Sequence, residues 1–398
     1  KSLNFKITII KKRYLQLNFF NYFQSRIKFF LRALLITVFS KLFCNIKHNY
    51  KNNLALTIFP LTFINNKHKI YGNLNCQYLN FSLTDESHLN LNFFNILKNI
   101  FYLRNNKKFL QVERFINFYC LFKNLLNSFF IYPLILKTKK KYIFKGVNFS
   151  SKIYSYFYHS NLNNQKLGIY NEALKTIFKS NKIKSFHYYL FEYSFGFYIS
   201  KLIKKINNSI YLIGYQHGIF TKNLFWFNFF KNKKFSAYLP NEIQSTNIHS
   251  FKDYIYTLKR FSINIDYVKN FYDNIFKNLQ INKNSKNILV VMGQHDYLDS
   301  ISLLKEKIKI KQTKNIYHLM FHPGTNHIPH HLLNHNFKIF NGNLNSSLLS
   351  FNSVFFSQTT TLLYNYILKR KDTHFKILAF DYKIPITFDK FLIKKFTV

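Results

Sequence analysis

The chain has 398 residues, 47% of them apolar, which is enough to bury a sizeable core and excludes a disordered chain despite the abundant lysine and asparagine. Lys and Arg number 58 against 15 Asp and Glu, a formal net charge of +43 that attracts polyanions and anionic lipid surfaces. The three cysteines, Cys44, Cys76 and Cys120, are odd in number and far apart, which excludes a disulfide framework and a zinc-binding spacing and fits a reducing compartment.

Residues 1–50 read as helix with basic punctuation. The chain does not begin with methionine, as expected of a processed chain or an incomplete reading frame. Ile27 to Ile46 is apolar, but Lys28, Arg32 and Lys41 interrupt it, and its longest clean run, Ala33 to Phe39, is too short to span a bilayer. It suits an amphipathic helix that lies on a membrane or packs on a core. Leu54 to Phe63 reads as a strand broken by Pro60, and residues 90–135 read as helical, with apolar three- and four-residue steps over Glu113 to Phe130.

From residue 140 strands and helices alternate. Strands are expected at Tyr142 to Val147, Ser185 to Phe191, Ile210 to Gly214 and Phe235 to Leu239. Helices are expected at Asn171 to Ser180, Gly196 to Ile206 and much of the lysine-rich stretch up to 285. The polar break at Asn282 to Lys286 marks a domain boundary. Beyond it, Asn287 to Met292, Ile316 to Phe321, Phe337 to Phe340, Ser353 to Phe356 and Phe375 to Phe380 read as strands. Between them Ser300 to Ile310 and Thr360 to Lys369 read as helices, and Ser346 to Ser350 as a helical turn. This rhythm implies right-handed crossovers and a parallel sheet covered on both faces, with ligands at the carboxyl ends of the strands.

Candidate chemistry falls at those ends. Ser357, Gln358, Thr359, Thr360 and Thr361 follow an apolar strand and open a helix, so hydroxyls and free N–H groups meet where a phosphate would be held. A single N-cap would need one hydroxyl of the four. His322, with Pro323 and Gly324, follows another strand and can hold a phosphate or protonate a departing one. Gly293 and Gln294 follow the first strand of the same unit and can offer backbone to a donor phosphate. In the preceding unit, Glu192 ends one strand, and Gln216, His217 and Gly218 end the next. Either Glu192 or His217 can serve as the base, with Gln216 and Gly218 on the acceptor side, although a lysine partner for Glu192 and a structural role for His217 stay open. His322, His327, His330, His331 and His335 raise the alternative of zinc, but no acidic ligand lies near them and no metal is expected. No G-x-S-x-G elbow is present.

The FEY and IGYQHGIF elements between Phe191 and Phe225 resemble the central part of bacterial surface-carbohydrate-biosynthesis proteins. FHPG and SQTTT are similar to the His-Pro and Ser/Thr motifs of GT-B sialyltransferases and polysialyltransferases, and to elements of capsule and teichoic-acid polymerases. The resemblance covers about residues 185–385. It implies an α/β, GT-B-like fold, two Rossmann-type domains facing a cleft, with a helical amino-terminal extension. The expected division is a basic helical region 1–140, either a part of the acceptor domain or a membrane-facing addition, then an acceptor domain 141–283 and a donor-binding domain 284–398. His322, Thr359 and Thr360 match the residues that hold donor phosphate. Gln358 stands where many relatives have serine, and the acidic base motif of the sialyltransferases is not cleanly present.

The implied activity is metal-independent sugar transfer from a nucleotide-activated donor to a surface-polysaccharide or lipid-linked acceptor. No cofactor is expected beyond that donor. The implied location is the cytoplasmic, inner face of an anionic membrane. A non-catalytic carbohydrate-assembly protein of the same fold and a nucleic-acid-binding protein are the alternatives. Basic residues spread along the chain, with only short clusters at Lys11-Lys12-Arg13 and Lys137 to Lys141 and no nucleic-acid-binding motif, argue against the latter.

Overall fold

The computed structural model describes residues 19–44, 50–60, 62–64, 67–68, 70–83, 92–137, 143–144, 147–148, 167–190, 194–216, 233–245, 248–268, 275–293, 296–311, 314–322, 325, 336–340, 349–357, 360, 362–369 and 374–378. Two compact units result, one drawn from 1–63, 75–186 and 198–210, the other from 64–74, 187–197 and 211–398.

Two parallel sheets organise the chain. The larger holds β1 (Asn53–Thr57), β4 (Gln77–Asn80), β5 (Phe109–Gln111), β8 (Ser185–Leu190), β9 (Tyr211–Gln216), β10 (Glu242–Ser245) and β11 (Asn264–Tyr267). Their order is β11-β10-β9-β8-β1-β4-β5. Two short pairs stand apart from it: β2 (Phe63–Ile64) with β3 (Lys67–His68), and the antiparallel β6 (Ile143–Phe144) with β7 (Val147–Asn148). Helices α1 (Phe19–Phe43), α2 (Phe93–Leu103), α3 (Phe118–Lys137), α4 (Tyr170–Phe178), α5 (Ser194–Ile206) and α6 (Ile248–Leu258) precede or connect these strands. Apolar residues at helical spacing explain the burial of α4 and α5: Tyr170, Ala173, Leu174 and Ile177 on one, Ile199 and Ile203 on the other.

The expectation of a helical amino-terminal extension is corrected here. Residues before 140 contribute β1, β4 and β5 to the sheet as well as helices. β4 and β5 are only four and three residues long, too short for periodicity to reveal. Lys233–Tyr238 is a 3-10 turn where a strand was expected, and β10 and β11 lie inside the stretch expected to be largely helical.

The smaller sheet runs β15 (Phe337–Ile339), β14 (Ile316–Met320), β13 (Asn287–Val291), β17 (Ser353–Ser357), β18 (Phe375–Leu378), and its four neighbouring pairs are all parallel. Helices α7 (Tyr297–Lys311) and α8 (Leu362–Lys369) belong to it. Side chains alternate across a strand, so the apolar run Ile288 to Val291 feeds two cores. Leu289 and Val291 pack with Phe356, Leu363 and Tyr366, whereas Ile288 and Val290 pack with Ile301, Leu304 and Phe355. Phe276 and Leu279 join the first core, ahead of the polar break at 282–286. The break itself is tied down: β12 (Gln280–Ile281) pairs with β16 (Ser350–Phe351), and the Ser285 hydroxyl donates to the Ser350 carbonyl at 2.7 Å. The last residue of the expected turn at Ser346 to Ser350 thus opens a strand, Leu349 before it is in no helix, and 346–348 lie outside the described residues.

Candidate functional site

All strands of a parallel sheet end at one edge, where loops carry ligand chemistry. In the smaller sheet Val291 is level with Met320 on one side and with Phe356 on the other. Gly293, His322 and Ser357 therefore leave the same edge, and Thr360 follows three residues after Ser357. The strands leading to His322 and Ser357 flank β13, two strand spacings or about 10 Å apart.

The chemistry along this edge divides in two. Ser357 is fully buried, and its hydroxyl accepts the Gly293 N–H at 2.5 Å. Thr360 is 5% exposed; its N–H donates to the Ser357 carbonyl at 3.2 Å and its hydroxyl receives the Leu362 N–H at 3.5 Å. These residues first of all fasten two strand ends together and start α8. His322, in contrast, is exposed. Phe321 packs edge-on against Tyr297 at the start of α7, with ring centroids 5.9 Å apart, and fixes the backbone next to the imidazole. The Thr325 N–H closes a turn on the His322 carbonyl at 2.9 Å. The Thr325 hydroxyl is enclosed and makes no hydrogen bond among the described residues. Gln294, Pro323, Gln358, Thr359 and Thr361 lie outside the described residues.

The larger sheet carries polar residues at the same end of its strands, and they satisfy one another. Gln216 closes β9 and is 2% exposed. Its amide donates to the Ser250 hydroxyl at 2.7 Å and its oxygen accepts the Ser245 hydroxyl at 2.7 Å. The side chain that was expected on the acceptor side is therefore engaged in tying β9 to β10 and α6. Glu192, His217 and Gly218 lie outside the described residues.

Beyond β4 and β5 stands a group the sequence reading did not single out. Glu113 is completely buried, and one of its oxygens accepts the Ser82 N–H at 2.6 Å and the Leu83 N–H at 3.1 Å. The Tyr170 hydroxyl and the Gln111 amide also donate to the carboxylate. Gln111 further donates to the Ser82 hydroxyl at 2.7 Å and accepts from the Asn80 amide at 2.8 Å. Burial raises the Glu113 carboxyl above its ordinary value, and the donors around it oppose that rise only in part. The available signal was the Gln111-Val112-Glu113 spacing in a chain with 15 acidic residues.

Two histidines at the larger sheet are interior, His187 in β8 and His68 in β3 beside it. His68 accepts the N–H groups of Ile70 and Tyr71 on Nδ1, each at 3.2 Å. His187 lies 3.2 Å from the Tyr215 hydroxyl, and burial pushes it down to about 4, so it is neutral at physiological pH. Among the described residues no group of three His, Cys, Asp or Glu side chains is gathered as a metal site; His327, His330, His331 and His335 lie outside them.

Comparison of the chain with protein-family models, with curated proteins and with solved structures gives no match in any of the three. The functional reading therefore stands on the residues and on the α/β architecture with its two parallel sheets.

Proposed function

We propose that the chain is a GT-B-type glycosyltransferase that moves a sugar from a nucleotide-activated donor to a surface-polysaccharide or lipid-linked acceptor at the inner face of a membrane. The observation that carries this reading is the edge shared by Gly293, His322, Ser357 and Thr360, where an exposed imidazole stands three residues from an enclosed Thr325 hydroxyl with no hydrogen bond among the described residues. A buried polar group without a partner costs about 1–3 kcal/mol, and a phosphate oxygen would satisfy it.

In the proposed reaction, Glu192 or His217 takes the proton of the acceptor hydroxyl. The acceptor oxygen bonds to the anomeric carbon as the bond from that carbon to the donor phosphate oxygen breaks. The electron pair leaves on the phosphate, where His322 donates a hydrogen bond or a proton and the Thr325 hydroxyl donates a second hydrogen bond. The cluster from Ser357 to Thr361 contributes the start of α8, whose positive end favours the growing charge. Sequence reading assigns the phosphate to Thr359 and Thr360. The bonding of Ser357 and Thr360 shifts the emphasis to His322 and Thr325.

A screen of nucleotides and nucleotide sugars by calorimetry against wild type and His322→Ala tests the proposal. One donor is expected to bind, and its affinity to fall about ten- to a hundredfold in the variant, as loss of a charge-assisted hydrogen bond would cause. Binding of no nucleotide removes the donor assignment, and equal binding to both proteins removes His322 from it.

A further inference from the structure

Helix α1 is inside out. Its buried face presents Arg26, Ala33, Ile36, Thr37 and Ser40, whereas Leu31, Leu35, Val38 and Leu42 follow one another at helical spacing on the solvent side. Leu42 is 72% exposed. The solvent sides of α2 and α3 are built the same way, with Phe94 and Tyr102 on one and Tyr119, Phe122 and Leu126 on the other. Seventeen large apolar side chains are exposed among the described residues, and twelve of them belong to these three helices, so the exposure is concentrated in one region.

The helices adjoin. Phe30 of α1 meets Phe122 of α3 with centroids 5.0 Å apart, Phe43 of α1 meets Phe101 of α2 at 5.6 Å, and the Lys41 ammonium lies 5.4 Å from the centre of the Phe118 ring. The exposed apolar side chains thus form one surface. Charge on it has a single sign. The three helices contain seven basic residues and no acidic one, and Lys28, Lys98 and Lys123 are exposed beside the apolar stripes.

We propose that this surface docks the protein on an anionic lipid bilayer, with the apolar stripes at the boundary of headgroups and acyl chains and Lys28, Lys98 and Lys123 against lipid phosphates. A second copy of the chain would bring the exposed Lys28, Lys41, Lys98 and Lys123 against the same four lysines with no acidic side chain of these helices to offset them, whereas anionic lipid supplies the opposite sign. No described helix is long and apolar enough to cross a membrane, and mixed leucine, aromatic and lysine faces suit helices lying in the interface. The inference deepens the membrane part of the proposed function and uses none of the transfer chemistry.

Cosedimentation of the full chain with vesicles of phosphatidylcholine, with and without about one quarter phosphatidylglycerol, tests it. The net charge alone draws the protein to the anionic vesicles, so the decisive condition is about 1 M sodium chloride, where the Debye length is near 3 Å. Binding that survives there is expected for wild type, weakened roughly a hundredfold in Leu31→Ser/Leu35→Ser/Leu42→Ser, at about one CH₂ group's worth of transfer per leucine. A second triple, Tyr119→Ser/Phe122→Ser/Leu126→Ser on α3, gives the same loss by an independent route. Urea midpoints equal to wild type show that each variant is folded. Wild-type binding that vanishes at high salt, equal binding by the variants, or a lipid-free dimer that the substitutions dissolve overturns the proposal. A chain that binds vesicles in this way but no nucleotide keeps the surface and loses the transferase assignment.

Discussion

The carboxyl edges of the two sheets are built from the same kinds of residue and finished differently. At the larger sheet, Asn80, Gln111, Glu113, Gln216 and Ser245 are buried and bonded within the protein. At the smaller, His322 is exposed and the Thr325 hydroxyl is enclosed without a hydrogen bond among the described residues. A polar side chain at a strand end is therefore not a binding residue by position alone; what matters is whether its hydrogen bonds are already made. The closed edge governs stability, and the open one is where a ligand has something to complete.

Substitutions separate the two edges. Glu113→Ala takes the carboxylate acceptor from the Ser82 N–H and the Tyr170 hydroxyl and leaves the Leu83 N–H and the Gln111 amide with one acceptor fewer, and urea unfolding is expected to show a loss of about 3–5 kcal/mol. A loss under 1 kcal/mol would mean the closed edge is not closed.

Acid acts on the larger sheet through His187 of β8. Its folded value, about 4, lies below the ordinary 6.5, so the unfolded chain binds the proton more readily. Stability is full above pH 6.5 and falls as pH drops towards 4, by roughly 3 kcal/mol at pH 4. Urea midpoints of wild type and His187→Gln across that window check the sign: only wild type should carry this slope.

Gln216→Ala removes two hydrogen bonds that join β9 to β10 and α6, and is expected to cost about 2 kcal/mol by the same measurement. Unchanged stability with weakened acceptor binding would return Gln216 to the site.

The smallest effect on stability is expected at the open edge. Thr325→Val replaces a hydroxyl that has no hydrogen bond among the described residues with a methyl group of similar size, so stability should stay within about 1 kcal/mol of wild type or rise, while affinity for the proposed donor falls. Lost stability with unaltered donor affinity would make the hydroxyl a structural one and erase the contrast.

Legibility from sequence followed the length and burial of each strand. β13, β14 and β17 are five residues long and mostly apolar, with runs such as Ile288 to Val291 and Val354 to Phe356, and they lie where the pattern predicts them. β4, β5 and β11 are short, carry Asn, Gln or Asp, and are set by their neighbours in the sheet, which no local pattern records. The Ser357-to-Thr361 cluster was visible as composition, but the partners of Ser357 and Thr360 arise from a strand more than 60 residues upstream and from the helix they start. Thr325 was hidden beside a conspicuous histidine, since an unmet hydrogen bond has no signature in sequence.

The strand order of the larger sheet sets a timetable for the nascent chain. β1 lies beside β8, and the Asn52 carbonyl receives the N–H groups of Lys184 and Ser185 at 2.8 and 3.1 Å. At about 5–20 residues per second, some 130 residues of synthesis keep β1 waiting on the order of 10 s for that neighbour. During that interval β4 covers one side of β1, and the other side stays open on the ribosome behind the helix proposed to dock on lipid. A holding chaperone is expected to be a requirement of biogenesis, and truncation before residue 185 to yield aggregates.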